Sequence, residues 1–273
     1  MENTRESGSQ PVPPPQPVSS GFPEVREVSV TRPFVWLARG VTDLRASPGA
    51  SLFFGFCFAL MGLTITLVFE HAYQYTSALT SGFLLLGPFL CMGLYELSRQ
   101  RMLGQGPDFL SALTVWRRNA GNLGIFGLVL TIIFLVWARA SLVLFALFYT
   151  NEMPNLSGFL GQILRAENVE FIAIYCAVGL VFASVVLGIS LVSIPMMLDR
   201  RQDAITSMLA SLIALSRNPG ACLVWAVLIV SLTAVGFLSF HGGLVVAIPV
   251  IGHATWHAYR DLVAPPPETP PAV

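Results

Sequence analysis

The chain contains no lysine. All fifteen of its cations are arginine, they are balanced by fifteen carboxylates, and the net charge is zero. Charged residues make up only 11% of the chain while 54% is hydrophobic. An ordinary soluble domain is roughly a quarter charged, so this chain has too few polar side chains to coat a globule of 273 residues, and its natural solvent is a bilayer. The arginines stand in short clusters between apolar runs, which excludes a continuous basic face for nucleic acid. Paired cysteine spacings are also missing. Cys57, Cys91, Cys176 and Cys222 are far apart inside apolar runs, which excludes zinc, haem-attachment and thioredoxin-like motifs and makes them small hydrophobic residues. No phosphate-binding glycine loop, nucleophile elbow or metalloprotease motif occurs. The first thirty residues lack the apolar run of a cleavable signal. With Pro11, Pro13, Pro14, Pro15 and Pro17 among Ser, Gln and Glu, residues 1–32 read as a disordered cytoplasmic tail, and residues 263–273 as a second Pro-rich tail.

What the sequence does have is apolar length. A hydrocarbon core about 30 Å thick needs about twenty apolar residues of helix. Six stretches within the membrane domain 33–262 qualify: about 48–70, 79–98, 120–149, 169–198, 219–238 and 240–260. They lack period-two alternation, so helices follow, because backbone polar groups in lipid must be satisfied within the segment. The expected fold is an all-α membrane protein of six spans. Arg26, Arg32, Arg39 and Arg45 precede the first span; Arg99, Arg101, Arg117 and Arg118 separate the second and third. Arg200, Arg201 and Arg217 separate the fourth and fifth, Arg260 follows the sixth, and the opposite loops hold only Arg165. The positive-inside bias puts both termini and the Arg-rich loops in the cytoplasm, with Trp36, Tyr95, Trp116, Trp256 and Tyr259 expected at the inner interface. Tyr73, Tyr75 and Tyr149 are expected at the outer one.

A unit repeats on the cytoplasmic side. Arg45-Ala46-Ser47-Pro48-Gly49, Arg118-Asn119-Ala120-Gly121 and Arg217-Asn218-Pro219-Gly220 stand before the first, third and fifth spans. Each reads as a helix start with Ser47, Asn119 or Asn218 as N-cap. Short amphipathic segments come before each start, with apolar faces Phe34/Leu37/Val41/Leu44, Phe109/Leu113/Trp116 and Ile205/Met208/Leu209/Leu212, expected flat in the headgroup boundary. The even spans carry Pro88, Pro195 and Pro249; the third comparison is imperfect, because Pro195 lies closer to its following Arg than the other two. The pattern implies three copies of surface helix, span and proline-bearing span.

Few residues invite chemistry. His253 and His257, four apart, share one helical face, as two metal-binding imidazoles require, but two ligands do not make a site, and the expected partners at matching depth reduce to Cys91 or Glu96. They stay weak metal candidates; no catalytic or cofactor residue is assigned. His71, beside Glu70, and His241 fall at outer span ends. Arg139 lies roughly 30 Å along the third span, where it can snorkel to headgroups. Glu96 and Asp199 suit local ion pairs.

The run Ser193-Ile194-Pro195-Met196-Met197-Leu198-Asp199-Arg200, the segment 204–216, and Arg217-Asn218-Pro219-Gly220 leading to Trp225 resemble a family of uncharacterised bacterial multi-pass integral membrane proteins. It is a domain of unknown function, and the resemblance covers about residues 45–262. Some members carry a loose label of cytochrome c oxidase subunit I. Four histidines and six spans do not supply two haems and a copper, so that label is not carried over. The resemblance implies a bacterial inner-membrane protein and is silent on activity. The expected function is structural, assembly or accessory, without enzyme activity or cofactor, with lipids and other membrane proteins or a homo-oligomer as partners. The alternatives are a small-solute transporter or channel on three two-span repeats, and a lipid-interacting protein using the surface helices and arginines.

Overall fold

The computed structural model describes residues 22–71, 76–148 and 169–265. Ten α-helices fill most of the described residues: α1 Arg32–Ala46, α2 Pro48–His71, α3 Thr76–Met102, α4 Phe109–Thr114, α5 Ala120–Phe148, α6 Val169–Ser190, α7 Ser193–Arg200, α8 Ala204–Arg217, α9 Pro219–Leu238 and α10 Leu244–Leu262. A 3-10 turn, Val115–Asn119, joins α4 to α5. By length and apolarity four segments among the described residues are able to cross a membrane: Pro48–Phe69, Phe109–Phe148, Val169–Arg200 and Pro219–Leu238. The second and sixth expected spans are helices too, α3 and α10, but each carries polar residues toward its C-terminal end and neither meets the same apolar criterion. α10 is the reason in miniature. It packs against α1, α2, α3 and α9 and buries Val250, His253, Ala254, Trp256 and Tyr259, so protein surrounds it and lipid does not select its residues.

Three boundaries differ from expectation, each for a backbone reason. Pro195 has no N–H to donate, so the fourth stretch divides into α6 and α7 at Leu191 and Val192. The last stretch begins at Leu244, because Phe240 and His241 both take left-handed conformations (φ 52° and 66°) in the turn between α9 and α10. Part of the N-terminal tail is also structured. Val25 bridges Val263, Arg26 N–H donates to the Leu262 carbonyl at 2.7 Å, and Ala264 N–H to that of Glu24 at 2.9 Å, so the segment before α1 pairs with the segment after α10. The proline-rich stretches themselves, and Tyr73, Tyr75, Tyr149 and Arg165, lie outside the described residues.

The helix starts are as expected but the caps are not. Asn218 makes no side-chain cap; its Oδ1 accepts from Val28 N–H at 2.7 Å, and its Nδ2 donates to the Arg26 and Ala214 carbonyls. Asn119 Nδ2 donates to the Met197 and Gln202 carbonyls at 3.0 and 2.9 Å. These amides therefore cross-link distant chain segments. Capping falls to Asp108 and Asp203, which accept from Ser111 and Thr206 N–H at 3.1 and 2.8 Å and start the surface helices α4 and α8.

The surface helices follow one rule of packing. α1 lies on α10, α4 on α3, and α8 on α6. Each turns one side inward: Trp36, Gly40 and Asp43 in α1, Ala112 in α4, and the small Ser207, Ala210, Ser211 and Ala214 in α8. Ile205, Leu209 and Leu212 of α8 and Leu110, Leu113 and Trp116 near α4 stay exposed, as an interfacial helix requires. The α1 face is corrected: Phe34 is exposed, while Leu37, Val41 and Leu44 are only half-buried beside the packed stripe. The inner aromatic belt is corrected as well. Trp36, Tyr95, Trp256 and Tyr259 belong to the core, where Trp36 meets Trp225 edge-on at 5.9 Å.

Candidate functional site: a buried histidine cluster and an apolar cavity

His253 has no exposed surface and is held from both ring nitrogens. Nε2 meets Ser51 Oγ at 2.9 Å and Nδ1 meets Ser98 Oγ at 2.7 Å. Ser98 donates onward to Asp43 Oδ2 at 2.6 Å, which leaves its oxygen to accept from Nδ1–H, and Ser51 then donates to Nε2. The neutral imidazole thus completes the chain with no orphaned polar atom. His257 Nε2 joins Asp43 Oδ2 at 2.9 Å, and Arg101 Nη1 reaches Asp43 Oδ1 at 2.5 Å. Four helices supply this cluster: α1, α2, α3 and α10. Burial works to raise the pKa of the Asp43 carboxyl, but hydrogen bonds from His257 and Ser98, with the nearby imidazoles, outweigh it and hold the group below the usual carboxylate range.

The order serine, histidine, serine, aspartate resembles a nucleophile relay with one extra hydroxyl. Ser51, Ser98 and His253 are all buried, however, so no substrate atom reaches them, and what the geometry does is fasten helices. Neither His253 nitrogen is free for a metal, and among the described residues no group of three or more His, Cys, Asp or Glu converges as ligands. Cys91 and Glu96 are not the partners of the histidines. Glu96 is instead buried beneath Arg99 Nε, Arg118 Nη1 and Gln100 Nε2 at 2.8, 2.9 and 3.2 Å. Asp43 is the residue that sequence reasoning missed. Its signal was the spacing Trp36, Gly40, Asp43, one stripe of an α-helix.

Two more carboxylates complete a layer at the same end of the molecule. Asp261 accepts from Arg32 Nε at 2.6 Å, Trp36 Nε1 at 2.8 Å and Arg39 at 3.4 Å. Asp199 accepts from Tyr259 at 2.8 Å and Arg260 at 3.2 Å, while Arg200 donates to Tyr259 Oη at 2.8 Å. The remaining candidates lie apart. Arg139 is exposed toward the far end of α5, His71 Nδ1 meets the Leu67 carbonyl of its own helix at 2.9 Å, and His241 Nε2 meets Thr66 Oγ1 at 3.3 Å.

Above the polar layer lies a cavity of about 610 Å³, walled by α3, α5, α6, α9 and α10. Its lining is apolar and aromatic except for Tyr95, Ser190 and Thr255. Thr255 donates to the Ile251 carbonyl at 2.8 Å, whereas Ser190 Oγ is buried without a hydrogen-bond partner. The hairpin of α5 and α6 packs on itself and meets the α3, α9, α10 side mainly through α7, α8 and the 3-10 turn, so the cavity is the gap between two groups of helices.

A polar layer at one end and an apolar gap between long helices are features of a bilayer protein. Residues 76–199 match the family described as predicted integral membrane protein (DUF2189). The DUF2189 match runs from α3 through α7, and includes Glu96 and Asp199 but neither Asp43 nor the histidines of α10. No curated protein and no solved structure matches the chain.

Proposed function

We propose that this chain is a six-span accessory protein of the bacterial inner membrane, with both termini cytoplasmic, which acts by packing against lipids and other membrane proteins and catalyses no reaction. One observation carries the reading: Asp43, Glu96, Asp199 and Asp261 are each tied into arginine- or histidine-containing clusters at one end, while the faces of α5, α6 and α9 at membrane depth are apolar and exposed. Such a body offers its surroundings a packing surface and keeps its polar groups for itself. The α9–α10 hairpin and the packing of α10 against α2 support counting α3 and α10 as the second and sixth spans. The threefold repeat draws support from the packing rule, since α1 lies on the Pro249-bearing α10, α4 on the Pro88-bearing α3, and α8 on both α6 and the Pro195-bearing α7. The test is isolation after mild solubilisation. Stable stoichiometric partners or a homo-oligomer support the reading; a monomer in every mild preparation counts against it.

A transporter on three two-span repeats is the second reading, favoured by the same packing rule. Solute flux through reconstituted vesicles, lost in Pro88→Ala or Pro249→Ala, would replace the first reading with this one.

A further inference from the structure

We infer that the cavity between α5–α6 and α3–α9–α10 holds one acyl chain of an inner-leaflet phospholipid, with Ser190 donating to the ester carbonyl. The inference rests on the proposed bilayer placement of α5, α6 and α9 with the polar layer on the cytoplasmic side, and is independent of whether the protein has partners.

Location selects the occupant. Along α5 and α6 the cavity-lining residues, such as Phe134, Trp137 and Phe182, alternate with Leu135, Val136, Leu180 and Val181, which are exposed on the outside of the same helices. The cavity therefore opens among lipid-facing side chains, and the molecules that surround it are bilayer lipids. Its volume falls within the range of about 300–1,000 Å³ of small-molecule sites. Its walls offer no charge, which excludes ions and polar solutes as occupants and suits a hydrocarbon chain.

Ser190 fixes the orientation. Ser190 lines the cavity, and its Oγ, unpaired and turned away from the open space in the empty protein, gains an acceptor by a side-chain rotation toward the occupant. Ser190 is the last residue of α6, and α7, which follows it, carries Asp199 and Arg200 in the polar layer. That depth is where the hydrocarbon core meets the headgroups, and where the ester carbonyl of a phospholipid lies. A chain entering from the inner leaflet thus brings an acceptor to the level of the orphaned donor.

The full chain, purified in mild detergent and titrated with dioleoyl phosphatidylglycerol, tests this by native mass spectrometry. The wild type is expected to retain one phospholipid per chain through delipidation. Gly179→Phe fills the space directly, because a Cβ at Gly179 meets no atom within 4 Å, and it is expected to abolish retention at an unchanged melting temperature. Ser190→Ala removes one hydrogen bond and is expected to weaken retention about fivefold. Equal retention by wild type and a folded Gly179→Phe overturns the site, as does a wild type that carries no lipid. Should Gly179→Phe melt early, Ser190→Ala decides alone, and unchanged retention there overturns the assignment. Retention of free fatty acid in place of phospholipid overturns the choice of ligand. None of these outcomes changes the result of a partner search, so the two readings fail separately.

Discussion

At the scale of single residues, the cluster around His253 is the most sharply defined chemistry in the molecule. Ser98 is its hinge point, donating to Asp43 and accepting from His253. Ser98→Ala leaves a buried carboxylate and a buried imidazole each short of a partner, so a loss of about 2 kcal/mol is expected, read as a lower melting temperature in detergent. Asp43 gives a pH signature. Its folded pKa lies below its ordinary value of about 3.9, so its ionised form contributes stability above that pH, and the contribution is lost as pH falls through the folded value. Wild type and Asp43→Asn are expected to differ at pH 7 and to converge below about pH 4. Melting curves that stay parallel across that window would show that Asp43 does not carry the clamp. Sequence alone placed the two histidines on one face correctly and could not find their partner, since Asp43 lies over 200 positions earlier, on a helix expected to lie against lipid headgroups.

At the scale of elements, the most extensive seam is between α1 and α10. A Cβ added at Gly40 would stand 2.6 Å from the Val250 carbonyl oxygen and 2.9 Å from the Ala254 nitrogen, both backbone atoms that cannot step aside. Gly40→Val is expected to cost about 2 kcal/mol or more by forcing the helices apart, and to free α1 for proteolysis before the rest of the bundle yields. Cleavage at the wild-type rate would mean that α1 is not docked as described. The same seam shows what hydropathy conveys and what it omits. Apolar length located α2, α5 and α9 to within a residue or two, because those helices answer to lipid. It located α10 less well, because residues chosen for contact with α1, α2 and α3 include histidine, tyrosine and threonine. Ser47, Asn119 and Asn218 mark helix starts in the sequence; Ser47 meets Asp43 and Ser51 one turn away, whereas the side chains of Asn119 and Asn218 serve contacts that only the folded chain brings within reach.

At the scale of the whole molecule, the expectation that both tails share the cytoplasm is testable by fusing topology reporters after Val30 and after Ala264. Cytoplasmic signal from both supports an even number of spans, and signals on opposite sides would remove either α3 or α10 from the bilayer. The fold class was legible because scarcity of charge and length of apolar runs are global properties that tertiary contacts do not alter. The cavity was not legible, because it exists only where five helices from separated parts of the chain fail to close on one another.

The position of α10 in the chain has a consequence for biogenesis. It emerges after α1, α2, α3 and α9, yet all four rest on it. Until its residues leave the ribosome, Asp43, Ser51 and Ser98 wait without the imidazoles that complete them, and a nascent chain already threaded through the membrane stays half assembled. Translation halted before Leu244 should therefore yield a product that membrane quality-control proteases recognise, so that a helix made after its neighbours also licenses them to persist.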